Sequence, residues 1–409
     1  KIFSGNPLGF GYTVAAVGVL GTILVYRIGR DMFGKTAGIF SAIIHSGSFL
    51  VAIYDREYWN ASLTPILSLI TIWLVWKVSQ GKVKYVIFLA FVLTLAFHAH
   101  GTGMALIVFT IISWIAFKLP VRNKFVGLAI GLFLLFQLPL LIFELRHNYT
   151  NLRAASKFFS SSEVSNLPVY QKLTNIVSGF AWTSSRLIYF PASDLMIEQT
   201  LAIPSELAVK RGQPSAVAYL VVALVFVWSI KKVRNERTVA FPLLLIGSTF
   251  LGLLIYKTKF EEYFYLPTFL PLVLLLGSAL GQLWQNKIGK TLVFCFLGLF
   301  LMGNIHNLLT VEHSFGFDAR MKAIEESIVK VAGEPFVVDV QCRGYCQIYG
   351  LRYFYSFLGV EPVRTYSDGI LGWLYDKKLP NKEPKKLIVF ELNGKNITPL
   401  VTDINRNDP

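Results

Sequence analysis

Charge is scarce in this chain, and acidic charge scarcer still. Asp, Glu, Lys and Arg make up 15% of 409 residues, with 24 acidic side chains against 39 basic ones. Three cysteines leave room for one pair at most. Cys295 falls inside an apolar run and reads as a packing residue. Cys342 and Cys346 flank Arg343-Gly344-Tyr345, a spacing that admits either a disulfide in an oxidising compartment or two free thiols. Two ligands are too few for a metal site. No glycine-rich phosphate loop, Walker sequence or nucleophile elbow occurs, which leaves nucleotide-cradling and serine-elbow chemistry without a motif.

Apolar side chains fill the space that charge leaves. The chain is 54% hydrophobic and 14% aromatic, with a mean hydropathy of +0.53, more apolar surface than a soluble chain of this length needs. About ten apolar runs divide it, over residues 8–26, 36–54, 61–76, 85–97, 104–117, 125–143, 215–230, 239–256, 264–283 and 291–309. A bilayer core of ~30 Å takes ~20 apolar residues per helix, and fewer where neighbours bury the ends. The pattern predicts an α-helical multi-pass membrane bundle over residues 1–309, with an external loop at 144–214. A small α/β domain follows over 310–409.

Every second link between runs is basic: Arg27, Arg30 and Lys35; Lys77, Lys82 and Lys84; Lys118, Arg122 and Lys124; Lys231, Lys232, Arg234 and Arg237; Lys287 and Lys290. Lys and Arg near span ends favour the cytoplasm. The links at 55–60 and 98–103, the 144–214 segment and the C-terminal domain are therefore expected outside a plasma membrane. The net charge of +15 is largely this inner collar, and no basic stripe on a soluble face supports nucleic-acid binding. The first run enters from outside and no Met precedes Lys1, so at least one upstream span and one external loop are expected to be missing.

Two external blocks interrupt the hydropathy. Residues 168–191 carry Tyr170, Phe180, Trp182, Tyr189 and Phe190, which suit a helix lying along the outer interface. In the tail, residues 319–331 have helical periodicity, 336–340 and 387–392 are β-rich, and 345–358 read as an aromatic helix. Three glycan-acceptor triplets, at Asn60, Asn148 and Asn396, all fall outside.

Ionisable residues gather at the outer ends of the runs: Asp55, Arg56 and Glu57; His98 and His100; Glu144, Arg146 and His147; Lys257, Lys259, Glu261 and Glu262. Taken singly each reads as a solvated helix end; together they would ring one pocket facing outward. Arg and Lys beside carboxylates suit a phosphate-linked donor and a hydroxyl or amine acceptor. A carboxylate there acts as general base or holds a divalent cation, with Asp55, His98 and His100 the candidate ligands.

Several stretches resemble bacterial polyprenyl-phosphate-dependent glycosyltransferases of the GT-C fold, the group of protein O-mannosyltransferases and the lipid A aminoarabinose transferase. They are Gly5-Asn6-Pro7-Leu8, Arg27-Ile28-Gly29-Arg30-Asp31-Met32-Phe33-Gly34, and Tyr54-Asp55-Arg56-Glu57-Tyr58-Trp59-Asn60. To these are added Leu95-Ala96-Phe97-His98-Ala99-His100-Gly101-Thr102, Phe143-Glu144-Leu145-Arg146-His147-Asn148 and Phe260-Glu261-Glu262-Tyr263-Phe264 before Pro267 and Pro271. The resemblance covers residues 1–309. It implies transfer of a sugar from a polyprenyl-phosphate donor to a lipid, glycan or protein acceptor at the outer leaflet. It also implies a main catalytic acid upstream of Lys1 and a second acidic position where Asn60 stands, with Asp55 and Glu57 as the acids at hand. Arg56, Asn60, His100, Arg146, His147, Lys257, Lys259, Glu262 and Tyr263 are then the residues expected to bind substrate. A transporter or flippase of lipid-linked sugars would require internal repeats and broken helices with charge at mid-depth; no repeat is visible. A non-catalytic membrane scaffold presenting the outer domain is the other alternative.

Overall fold

The computed structural model describes residues 3, 5–56, 59–160, 168–191, 215–255, 261–311, 317–341, 350–368, 382–393 and 396–404. Glu57, Lys257, Lys259, Cys342 and Cys346 lie outside them. The chain forms two compact units, one of Val14–Phe190 and Pro214–Leu308, the other of Lys1–Thr13, Pro191–Gln213 and Leu309–Pro409.

The ten apolar runs fold as helices, named here in chain order: α1 Leu8–Phe33, α2 Lys35–Gly47 with α3 Phe49–Tyr54, α4 Thr64–Ser79, α5 Val86–Ala99, α6 Met104–Ala116, and α7 Lys124–Phe136 with α8 Leu138–Arg146. Two helices of the external segment follow, α9 Thr150–Ser160 and α10 Val169–Ile188, and then α11 Ala216–Lys232, α12 Ala240–Ile255, α13 Leu266–Leu283 and α14 Lys287–Thr310. Among the described residues six helical stretches are long and apolar enough to cross a membrane: Leu8–Phe33, Asn60–Ser79, Lys124–Arg146, Arg237–Ile255, Glu262–Leu283 and Lys287–Thr310. Val83–Ala99 and Gly101–Ala116 are shorter apolar helices. The protein is a multi-pass membrane protein.

At the centre of the bundle α13 is buried along nearly its whole length. Small residues let α2 approach it. A Cβ on Gly277 would stand 2.0 Å from Ser41 Oγ and 2.7 Å from the Ser41 backbone nitrogen, and one on Gly281 would stand 3.0 Å from the Ala37 nitrogen. Gly277 and Gly281 form a G-x-x-x-G pair, which membrane helices use for close crossing because lipid offers no hydrophobic drive to associate. The α1–α2 crossing follows the same rule: a Cβ on Gly29 would lie 3.1 Å from the Gly38 α-carbon.

Two expected spans are broken. The run at 36–54 bends at Ser48, which has extended backbone between α2 and α3. In a membrane the freed backbone groups need partners. Asn304 of α14 accepts from the Phe49 amide at 3.0 Å and donates to the Ile188 carbonyl at 2.8 Å, while the Ser48 hydroxyl donates to the Leu187 carbonyl at 2.8 Å. Asn307 donates to the Phe190 carbonyl at 2.6 Å. Neutral side chains thus satisfy both the break and the last carbonyls of α10. The run at 125–143 breaks at Gln137, just before Pro139 in the first turn of α8; proline starts a helix more readily than it continues one.

Two expectations need correcting. The helix in 168–191 is not interfacial throughout: its second half buries Phe180 and every residue from Thr183 to Ile188, because Gly179 lets the Tyr265 ring close on the helix and donate to the Ile176 carbonyl at 3.0 Å. Cys295 is exposed rather than packed. Apolar surface on a membrane helix can face lipid, so hydrophobicity alone does not mark its core side.

The second unit holds α15 Phe317–Val331 and α16 Leu351–Phe357 with four strands, β1 Phe336–Gln341, β2 Arg364–Thr365, β3 Lys386–Asn393 and β4 Asn396–Asp403. The sheet order is β2-β1-β3-β4, parallel except for the β3–β4 pair. Ile324, Val338, Tyr355, Ile388 and Phe390 form its core. Buried Arg352 grips both oxygens of Asp368, at 3.1 and 2.7 Å, and Asp368 in turn accepts from the Thr365 amide at 2.7 Å.

Candidate functional site

The site residues sit where helices end. Asp55 follows the last turn of α3, and its carboxylate is tucked against α1 at Gly18, where a Cβ would come within 2.7 Å of Oδ2. Burial pushes its pKa up to about 6. The proton is held more tightly than on a solvated Asp. One turn further along the same face of α1, the Thr22 hydroxyl lies 3.0 Å from Nδ1 of the buried His45. Arg56 beside Asp55 is exposed.

Three loops meet through aromatic rings. Trp59, before Asn60, packs edge-on to Tyr263 at 5.0 Å and to His100 at 5.6 Å between centroids; His100 and Tyr263 are 5.6 Å apart. His100 caps the turn after α5, with its Nδ1 accepting from the Thr102 amide at 3.3 Å. That bond assigns the ring proton of the neutral imidazole to Nε2. Burial lowers the His100 pKa, which favours this neutral form. Asn60 donates to the Ala99 carbonyl, and Thr64 and Thr102 face each other at 3.4 Å. The segments at 59–64, 99–103 and 261–265 are therefore held together.

Glu262 is buried and pairs with Arg186 of α10, while the Tyr54 hydroxyl donates to its Oε1 at 3.1 Å. Its carboxylate is engaged by protein. Glu261 is exposed.

Arg146 and His147 end α8, and both are exposed. The His147 ring stacks on Phe143 with centroids 4.1 Å apart. Among the described residues Arg146 makes no ion pair, whereas its neighbour Glu144 is buried and accepts from Asn151 and from the Leu152 amide at the start of α9. His98 touches Phe97 edge-on. Among the described residues no three His, Cys, Asp or Glu side chains group to hold a metal, and His100 Nδ1 is taken by Thr102.

Sequence reasoning singled out Asp55, Asn60, His100, Glu262 and Tyr263 but not Arg186, Trp59 or His45. Arg186 carried one local signal, a cation between aromatic residues in the second half of a strongly patterned segment.

The geometry is that of a helical membrane bundle with its ionisable and aromatic groups gathered at loop ends. Residues 1–143 match the family described as dolichyl-phosphate-mannose-protein mannosyltransferase. The fold is shared with the crystal structure of ArnT from Cupriavidus metallidurans bound to undecaprenyl phosphate. That match has 12% identity and a TM-score of 0.55, and covers 93% of this chain and 79% of that one. The apo state of the same protein gives 11% identity and a TM-score of 0.54, covering 92% and 78%. At these identities the likeness is one of fold, the GT-C-type bundle. No curated protein matches the sequence.

Proposed function

We propose that this protein is a membrane glycosyltransferase that moves a sugar from a polyprenyl-phosphate carrier to an acceptor at the outer face of the plasma membrane. The observation that carries this reading is the bundle it shares, over 93% of its length, with a protein whose crystal structure holds undecaprenyl phosphate. The family match over residues 1–143 supports the sugar-transfer chemistry.

In this reaction an acceptor hydroxyl or amine attacks the anomeric carbon. Its proton leaves to a base, the bond from the anomeric carbon to the phosphate oxygen breaks, and the polyprenyl phosphate departs as the anion. Asp55, with Glu57 two positions on, is the carboxylate this chain offers as base: a half-buried carboxylate with a raised pKa takes a proton more readily than a solvated one. Arg146, cationic and exposed at the end of α8, is the phosphate contact, aided by Lys257 and Lys259. Such charge-assisted bonds are worth ~1.5–3 kcal/mol each. The basic links lie on the cytoplasmic side, and the C-terminal α/β domain on the outer side.

The test is the full-length protein in proteoliposomes with radiolabelled undecaprenyl-phosphate sugars, read as label leaving the lipid. Wild type releases label in the presence of acceptor. Arg146→Ala slows release about ten- to a hundredfold, the size expected for one lost charge-assisted phosphate contact. No release from any sugar donor overturns the proposal.

A further inference from the structure

We infer that Trp59, fixed by His100 and Tyr263, is a stacking platform for the sugar ring of the lipid-linked donor; this rests on the donor reading above. Three rings from three separate loops stand nearly perpendicular to one another, with interplanar angles of 69°, 78° and 83° and centroids 5.0–5.6 Å apart. Edge-to-face packing of this kind fixes a ring's position and orientation. Yet the held Trp59 keeps 37% of its surface exposed. A ring braced from two sides and still open is preorganised to receive something flat.

The surroundings select what that is. Trp59 stands in a link, ahead of the apolar stretch Asn60–Ser79, and its neighbours are polar. Asn60 ties to the Ala99 carbonyl, Thr64 faces Thr102, and neutral His100 carries a ring N–H. A prenyl tail gains nothing from hydroxyls and amides. A sugar ring has one face of C–H bonds to lie on an indole and a rim of hydroxyls to exchange hydrogen bonds with such groups. The chemistry at Trp59 therefore fits the sugar of the donor rather than its lipid. Asp55 lies four positions before Trp59 in the same link, so the platform and the proposed base belong to one loop.

The experiment uses the full chain in nanodiscs and two probes, undecaprenyl phosphate and undecaprenyl-phosphate-linked mannose, with affinities measured by titration calorimetry. Trp59→Leu keeps apolar bulk but removes the ring face; Trp59→Phe keeps a smaller one. We expect the Leu variant to bind the sugar-bearing lipid about tenfold more weakly, the loss of one stacking contact. Its affinity for the bare lipid should stay at the wild-type value, and the Phe variant should lie between. Retained bare-lipid binding also shows that the Leu variant is folded. Equal weakening toward both probes makes Trp59 a structural brace and overturns the platform, as does no change toward either. A wild-type protein that binds the bare lipid but gains nothing from the sugar overturns the platform alone. One that binds neither probe overturns the donor reading and the platform with it.

Discussion

Arg186 and Glu262 form an ion pair inside the bundle, joining α10 to the turn before α13. The guanidinium is wholly buried and lies 4.2 Å from the Trp182 ring centroid and 3.9 Å from that of Phe190. Burying two charges is costly, so such a pair adds little net stability, but removing one partner leaves the other charge stranded. We predict that Arg186→Met or Glu262→Gln destabilises the protein by ~3–5 kcal/mol. Arg186→Met combined with Glu262→Gln should cost less than the sum of the single changes. Thermal unfolding in detergent measures all of these; additive losses would mean that the two side chains do not act as a pair.

The pair also shows where sequence reading stops. Hydropathy is a local property, and each apolar run could be read from its own residues; all ten are helices. The tail's β1 and β3 were visible in the same way, whereas β4, interrupted by Pro399, was not. Breaks and clusters are a different matter. Ser48 needs Asn304, distant in the chain, to satisfy its bend, and nothing near Ser48 announces this. His100 and Tyr263 each stood out as polar groups at a helix end. Their meeting with Trp59 depends on how α3, α5 and α13 pack. Arg186 drew no reading from the sequence, and its burial depends on how α10 packs.

The proposed role of Asp55 as base makes a prediction about pH. Burial raises its pKa to about 6, so a base at this position is half-formed near pH 6 and complete above it. Turnover should rise through that range and level off, and Asp55→Asn should lower the activity and remove the inflection. Stability should move the other way. The folded state binds the proton more tightly than the unfolded chain, whose Asp titrates near ~3.9, so the protein loses stability as pH climbs from there to about 6. Asp55→Asn should flatten that slope. A rate profile with no inflection between pH 5 and 7 would remove Asp55 as the base.

The α2–α13 crossing makes a prediction about size. Any side chain at Gly277 meets backbone, the Ser41 nitrogen at 2.7 Å and the Ala37 oxygen at 2.9 Å, and not merely a movable side chain. Gly277→Val should therefore cost ~1–3 kcal/mol, the range for forced overpacking. Gly298→Ala is the control, since a Cβ there has nothing within 4 Å and replacing glycine in a helix interior is mildly favourable. Melting temperatures of the two variants in one detergent compare them directly. Equal melting temperatures would mean that the helices do not meet at Gly277.

The last prediction concerns sidedness. Lys82, Lys124 and Lys232 belong to basic links, and cations near span ends stay on the cytoplasmic side during insertion. Lys382 precedes β3 in the α/β domain, beyond the last membrane helix. In a background with Cys295, Cys342 and Cys346 changed to serine, single cysteines at the three link positions should resist a membrane-impermeant maleimide in intact cells and react once the cells are opened. A cysteine at Lys382 should react in both. The sign of the result is decisive for the chemistry as well. The links at 55–60 and 98–103 are separated from the basic links by one apolar run each, so they face opposite to them where each run crosses the membrane. If the basic links label from outside, Asp55, Trp59 and His100 face the cytoplasm and a lipid-linked donor in the outer leaflet cannot reach them.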